Sequence, residues 1–402
     1  MESTATQLRD TQIALIRDIF LMTQSHLPDE DGWFDGRLGY MLFDWYYRLS
    51  FELDLDPVGE AFSDLLGRLN EGNSSLTDDS LSKGMTGLAL VLNHFHQEFQ
   101  WEVDDLLADL DQMVIACIEE RILKGEKDFY HQATGLLHYL IQRLAQNGIE
   151  QVVDHCLDLW TQTSTIDLAG LRYRSSMGQG AGVAYDLGLA HGLTGFLLTI
   201  SPLVDHPRLG EKAITLVQAG LRYYQTVAAK ASTDERTPAD SEIPVFVGVD
   251  QPTVVRTNRM AYCYGDIGPL LVWERTRHFL SISDQQKLFW DQIHSKVCAA
   301  QTPEKTGIDD AHLCHGSAGI ALMFRALNAA HPQKAYLDGY EFWVEKTWQY
   351  AQEDLATGAY AGGPASLLEG FSGVGLACLT FLYGSDWNWP SLFLLPTNPQ
   401  AS

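Results

Sequence analysis

Hydrophobic positions along this chain follow two alternating patterns. In segments such as DDLLADLDQMVIACIEERI, EKAITLVQAGLRYYQTVAAKA and DQQKLFWDQIHSKVCAAQ they recur at about 3.6-residue spacing with charges on one face, which predicts amphipathic helices. Between such segments lie shorter stretches that are apolar nearly all round, each led by a glycine turn: DGRLGYMLF, KGMTGLALVL, HQATGLLHYL, HGLTGFLLTI, YGDIGPLLVW, HGSAGIALMF and EGFSGVGLACL. A helix apolar on every side is buried, and one with a polar face meets water. The anchoring glycines are Gly39, Gly87, Gly135, Gly195, Gly268, Gly319 and Gly373, spaced by 48, 48, 60, 73, 51 and 54 residues. A period near 50 holds two helices and their connections. The pattern therefore predicts an all-α fold: a closed ring of seven inner helices inside seven outer ones, a single domain over 1–402. An open superhelix is the alternative, and it requires polar capping repeats at its ends. The recurrent glycine has a local reason, since it accepts positive φ and lets backbones approach closely at the entry to a crowded helix.

Two stretches interrupt the period. Residues 172–192, RYRSSMGQGAGVAYDLGLAHG, are glycine-rich and read as a loop reaching the site. Residues 230–259 are polar and carry prolines, with short β-like runs at Ile243–Val249 and Thr253–Val255. They read as a small β-containing insertion, a lid or substrate-docking flap, or else as a tolerated surface loop.

Charge narrows the partners. With 52 acidic against 27 basic residues the net charge is −25, which repels phosphate backbones and argues against nucleic-acid binding. A cationic peptide suits it better. The start MESTATQLRD has neither the basic stretch nor the apolar run of a signal peptide, and no apolar run approaches the roughly 18 residues of a membrane span. The expectation is a cytoplasmic protein, not an integral membrane one. Six cysteines in 402 residues make no disulfide scaffold and are expected to be buried, metal-bound or catalytic.

Candidate chemistry emerges when the repeats are aligned on their glycines. Four residues before each stand Asp35, Lys83, His131, His191, Tyr264, His315 and Glu369, and five residues before two of them stand Cys263 and Cys314. In a ring, equivalent positions converge at one mouth. Packing alone selects no such ionisable set, and helix capping selects Ser, Asn or Thr. Cys263, Cys314 and His315 thus form a candidate metal set. Two thiolates and an imidazole favour zinc, and three protein ligands leave a fourth tetrahedral position for water or substrate. The alternative is that both cysteines are ordinary buried thiols, as expected for Cys117, Cys156, Cys298 and Cys378. A zinc with two thiolate ligands is a poor Lewis acid for hydrolysis but deprotonates an incoming thiol. The chemistry that fits is thiol alkylation or thiol addition to an activated alkene.

AHGLTG, YCYGDIG, LCHGSAG and LLEGFSGVGLA, in this order and spread over the chain, resemble the lanthionine synthetase C-like (LanC) family. The resemblance spans all seven repeats. Two departures touch the turn and not the ligands: Tyr262 stands where the family usually has Trp, and Ile267, followed by Pro269, where it usually has Pro. The resemblance implies an α/α toroid, one zinc held by Cys263, Cys314 and His315, and closure of thioether rings in a dehydrated precursor peptide. In that reaction a peptide cysteine thiolate adds to dehydroalanine or dehydrobutyrine in the same chain. His191 matches the family's catalytic histidine, an acid or enolate stabiliser, and Asp128 matches the aspartate that orients it or shuttles the proton. Arg259 and Tyr264 match positions used near the site, Arg259 as a stabiliser of the enolate oxyanion. His131 matches no family ligand and reads as a pocket or hydrogen-bonding residue. The resemblance also suggests a dehydratase and a membrane exporter as partners, with the protein peripheral at the inner face of the membrane. Competing readings are a LanC-like protein that adds glutathione to dehydroamino acids, a scaffold without turnover, and a prenyltransferase-like toroid. The last is disfavoured by the absence of a basic cluster for a diphosphate.

Overall fold

The computed structural model describes residues 2–175, 184–230, 241–249, 254–257, 259–300, 302–384 and 386–396. Outer and inner helices alternate in seven pairs: α1 (Glu2–Gln24) and α2 (Arg37–Ser50), α3 (Asp56–Asn70) and α4 (Met85–Phe99), α5 (Asp104–Leu123) and α6 (Ala133–Gln142), α7 (Ile149–Thr163) and α8 (Leu193–Ile200), α9 (Gly210–Lys230) and α10 (Ile267–Thr276), α11 (Asp284–Ala299) and α13 (Ser317–Ala330), α14 (Lys334–Thr357) and α15 (Phe371–Tyr383). A single turn, α12 (Pro303–Thr306), precedes α13. The two hydrophobic patterns separate as their periodicity requires. All of α8 is buried. In α14 the buried residues form one stripe, Tyr336, Gly339, Trp343, Thr347, Tyr350 and Asp354 among them, at steps of three and four.

Each inner helix packs on the next, and α15 packs on α2, so the ring is closed. A circuit of backbone hydrogen bonds runs around its mouth. Every acceptor is the carbonyl five residues before an anchoring glycine. Phe34 donates to Ser82 (3.2 Å), Ser82 to Tyr130 (2.9 Å), Phe129 to Ala190 (3.3 Å) and Leu189 to Cys263 (2.9 Å). Cys263 donates to Cys314 (3.4 Å), Cys314 to Leu368 (3.0 Å), and Leu367 back to Phe34 (2.7 Å). The open superhelix is thereby excluded. One residue earlier stand Trp33, Leu81, Phe129, Leu189, Tyr262, Leu313 and Leu367, all buried, which make an apolar floor beneath the circuit. The chain after α15 turns back beneath this floor. Phe393 meets Trp33 (centroids 4.7 Å apart) from the first repeat and Tyr262 (6.1 Å) from the fifth, and the Tyr262 hydroxyl donates to the Phe393 carbonyl (3.1 Å). The C-terminal segment thus fills the lumen.

The short strands were foreseen only in part. β1 (Thr165–Asp167) and β2 (Gly170–Arg172) form a hairpin that the sequence did not announce. β3 (Ala184–Asp186) lies within the stretch read as loop, and pairs with β4 (Phe246–Gly248), which pairs with β5 (Val254–Val255). The β-like runs of the insertion are therefore strands, and they join the glycine-rich stretch in one small antiparallel sheet. Asp266 holds it to the rim, accepting the backbone amides of Glu242 (2.8 Å) and Ile243 (2.9 Å). Residues 176–183, 231–240, 250–253 and 258 of these two stretches lie outside the described residues. All six cysteines are free. Cys156 and Cys378 are buried as expected, whereas Cys117 and Cys298 are only half-buried, because both sit at the edge of the apolar stripe of an outer helix. No helix among the described residues is long and apolar enough to cross a membrane.

Close approach, and not positive φ, explains the anchoring glycines. None of the seven has a positive φ. A Cβ at Gly319 would lie 1.9 Å from the Leu313 carbonyl oxygen, and one at Gly373 equally close to that of Leu367. Gly268 is different: a Cβ there would meet no backbone, only the ends of two side chains, the Thr194 methyl at 3.0 Å and the Met323 methyl at 3.9 Å. Gly319→Ala is accordingly expected to lower the unfolding free energy by about 3 kcal/mol, and Gly268→Ala by less than about 1 kcal/mol. Urea unfolding of both variants checks this, and equal losses would contradict it.

Candidate metal and acid–base site

The loops leading into the inner helices carry the site, and the hydrogen-bonded circuit fixes their spacing. Cys263 and Cys314 are consecutive members of the circuit, so their side chains are neighbours although 51 residues separate them. Their sulfurs are 2.9 Å apart, and the Cys314 Sγ lies 3.5 Å from His315 Nε2. All three ligand atoms fall within 4.8 Å of one another, with both cysteines buried and His315 half-buried. Sulfurs and nitrogen this close are each within reach of one zinc ion at about 2.0–2.3 Å per bond.

The surroundings of His315 also fit a metal ligand. Its Nε2 faces the sulfurs, while its Nδ1 faces the Glu369 carboxylate at 3.7 Å. A carboxylate behind the second ring nitrogen fixes orientation and raises basicity, the usual support for a ligating histidine. The backbone amide of His315 donates to His312 Nδ1 (3.1 Å), which anchors the loop. Tyr264 stacks over the His315 ring at 6.0 Å and 7°. Gly188 permits this placement, since a Cβ there would come within 2.9 Å of the Tyr264 ring. Burial raises the Tyr264 hydroxyl pKa, so it stays neutral.

The two thiols are not equivalent. Burial alone disfavours a thiolate, but hydrogen bonds from Cys314, His315 and Tyr130 outweigh it and hold the Cys263 pKa below the ordinary value. Cys314 is pushed up by its hydrogen bond to Cys263 and by burial.

A second cluster lies beside the first. His191 Nδ1 is hydrogen-bonded to Asp128 Oδ2, and Asp128 Oδ1 accepts the backbone amide of His131 (2.7 Å). The His131 ring lies against that of His191, with centroids 6.0 Å apart and planes 15° from parallel, while its Nδ1 bonds the Ser82 hydroxyl (2.8 Å). The hydrogen-bonding role read for His131 agrees with this geometry. The two histidines are driven in opposite directions. Burial works against the His191 cation, but the hydrogen bond and charge of Asp128, with Asp186 and Cys263 behind, raise its pKa above the usual 6.5. Burial lowers that of His131. Asp128, His131 and His191 could by donor type also hold a metal, yet the Asp128–His191 hydrogen bond commits one donor of each to the other. The two-sulfur cluster offers the softer and better supported site.

Arg259 stands at the rim. Its guanidinium is about a third exposed, and among the described residues its ion-pair partner is Asp309 at 3.9 Å, outside the insertion. Four carboxylates of 230–259, Asp234, Glu235, Asp240 and Asp250, lie outside the described residues.

Two residues went unread in the sequence. The Tyr130 hydroxyl lies 3.6 Å from Cys263 Sγ, and the Tyr130 ring meets His191 edge-on at 5.5 Å, bridging the two clusters. Its signal was present, because Tyr130 occupies the same offset from Gly135 that Cys263 and Cys314 occupy from theirs. Asp186 is buried beside His191, accepts the Gly188 amide (2.7 Å), and is pushed by burial up to about 7. Nine residues before five of the seven glycines stand Glu30, Asp78, Glu126, Asp186 and Asp310, with Arg259 and Pro364 at the other two, an acidic majority that would have drawn notice to it.

Comparison with known proteins agrees with this architecture. No curated protein sequence matches the chain. Among solved structures, nisin cyclase matches with a TM-score of 0.73 over 97% of this chain and 98% of that one, at 19% identity, a likeness of fold. Residues 27–394 match the model of the lanthionine synthetase C-like proteins, from ahead of the first inner helix to the segment that fills the lumen. With the match running through all seven repeats and every residue of both clusters, the chain belongs to the lanthionine synthetase C-like family.

Proposed function

We propose that this protein is a zinc-dependent lanthionine cyclase that closes thioether rings in a dehydrated precursor peptide. The observation that carries the reading is the pair of buried sulfurs 2.9 Å apart beside His315, on the same rim as the His191–Asp128 pair. Cys263, Cys314 and His315 would hold the ion, and zinc bound there would supply the charge that ionises an incoming thiol.

The chain's own residues do the rest. The apolar floor and Tyr264 shield one side of the rim from water. The thiolate sulfur of the substrate adds to the β-carbon of a dehydroalanine or dehydrobutyrine, forming the C–S bond and moving the π electrons onto the α-carbon and carbonyl oxygen. Arg259, at the rim, faces the enolate oxygen. His191 donates its proton to the α-carbon. Because Asp128 binds Nδ1, the reacting nitrogen is Nε2, and the same contact raises the pKa of the imidazole and so favours its protonated form. The small sheet of the insertion, tied to the rim by Asp266, acts as the flap over the peptide. All seven repeats act as one catalytic unit, in the cytoplasm, with a dehydratase upstream and an exporter downstream as membrane-side partners.

The test uses a dehydrated precursor peptide with free cysteines, read by thiol alkylation and mass. The parent protein is expected to leave no alkylatable thiol, and to carry about one zinc per chain. Cys314→Ala is expected to leave the thiols free and lose the metal. Ring closure by a zinc-free Cys314→Ala protein would refute the reading, and glutathione adducts without ring closure would favour the glutathione-adding alternative.

The pH dependence follows from His191. An acid must be protonated to act, so a raised pKa keeps activity up to a higher pH, and activity falls as pH rises through it. Removing the Asp128 charge leaves burial as the dominant influence, which lowers the pKa. Asp128→Asn is expected to move the alkaline limb of kcat/KM about one pH unit or more toward acid. An unmoved alkaline limb would show that Asp128 does not set the histidine's protonation.

A further inference from the structure

At the far end of the ring from the metal cluster, a cavity of about 390 Å³ opens between the C-terminal ends of α6, α8 and α10 and the segment that fills the lumen. Arg275, in the last turn of α10, lines it. Counting eight residues from the start of α10 puts Arg275 roughly 12 Å along the helix from the mouth.

Its setting contrasts with that of another buried arginine. Arg143, buried between α5 and α6, is neutralised by Asp111 at 2.8 Å. Arg275 has neither a carboxylate nor a hydrogen-bond acceptor among the described residues, and its Nη2 is fully enclosed without a partner. Burial, with nothing to offset it, pushes its pKa down to about 9, so it remains cationic at neutral pH. Among the described residues the cavity wall contains no Asp or Glu. His138, on the same wall, is pushed by burial down to about 4 and adds no charge. Two further wall groups, Thr199 Oγ1 and Asn388 Oδ1, are enclosed without partners. Leu198, Ile141 and Leu394 supply apolar surface.

Leaving a cation enclosed without an anion is costly, and its usual resolution is a bound counter-charge. The volume is that of a small-molecule site with a few polar groups on an apolar wall. We propose that this cavity is a second binding site, separate from the metal cluster, for a small organic carboxylate with an apolar body, whose carboxylate pairs with Arg275 as a two-pronged hydrogen-bonded ion pair. Thr199 offers a further donor to the carboxylate, and the Asn388 oxygen accepts from any N–H on the ligand body. Such a carboxylate belongs either to a medium-length acyl chain or to the C-terminus of an apolar peptide.

Isothermal titration of the full chain with octanoate and with N-acetyl-leucyl-leucine, each against its neutral amide, tests the site and distinguishes the two sources. At least one carboxylate is expected to bind at least tenfold more tightly than its amide. Arg275→Met, which keeps the apolar stem, is expected to abolish that preference and to melt no lower than the parent, since it removes an unpaired charge. Arg275→Lys keeps the charge without the fork and is expected to retain part of the preference. Equal binding of acid and amide, binding of neither acid, or a preference that survives Arg275→Met would overturn the proposal. The parent comparison of acid with amide decides the matter even if a variant fails to fold.

Discussion

Backbone hydrogen bonds from each repeat to the next close the mouth of the ring from Phe34 around to Leu367 and back to Phe34. Backbone groups buried at the entry to seven crowded helices need partners, and the backbone of the neighbouring repeat provides them. That requirement sets the whole geometry. It demands that each loop come within hydrogen-bond distance of the next, which in turn demands glycines where a Cβ would strike a carbonyl, as at Gly319 and Gly373. It also places the side chains at fixed offsets in rings, with the apolar floor at one position and the chemistry at the next two.

Seen from the circuit, the functional cluster is a consequence of packing. Cys263 and Cys314 touch because their amide and carbonyl do. His315 follows Cys314 directly and presents its outer nitrogen to Glu369 of the next repeat. Tyr130 and His191 come from the third and fourth repeats, yet the former reaches the Cys263 sulfur across the ring. His191 and the two cysteine sulfurs are thereby held on one rim without sharing a helix, a rigid arrangement suited to the proposed reaction, in which the substrate's sulfur and the new proton end on different carbons.

Much of this was legible in the sequence because it depends on period and register. Seven apolar stretches led by glycines fixed the number of inner helices, and the residues four and five before those glycines named Cys263, Cys314, His315 and His191. Where the period broke, reading faltered. The β1–β2 hairpin has only three-residue strands, too short to show alternation, and β3 lies in a glycine-rich stretch whose pairing with β4 depends on residues some sixty positions away. Asp186 escaped notice for the same reason. Tyr130 was missed although its register was intact, because a tyrosine among cysteines does not look like part of a metal site until its hydroxyl is seen beside the sulfur. The cation at Arg275 left no trace in the pattern at all, since it follows from what is not near it in space.

The central claim is that three residues from adjacent repeats grip one zinc with a position left for the substrate. X-ray absorption at the zinc edge of the purified protein tests it most directly. The account requires two sulfur neighbours at about 2.3 Å and lighter neighbours, nitrogen or oxygen, at about 2.0–2.1 Å, completing four. Protein that binds no zinc, or zinc surrounded by light atoms alone, would contradict it.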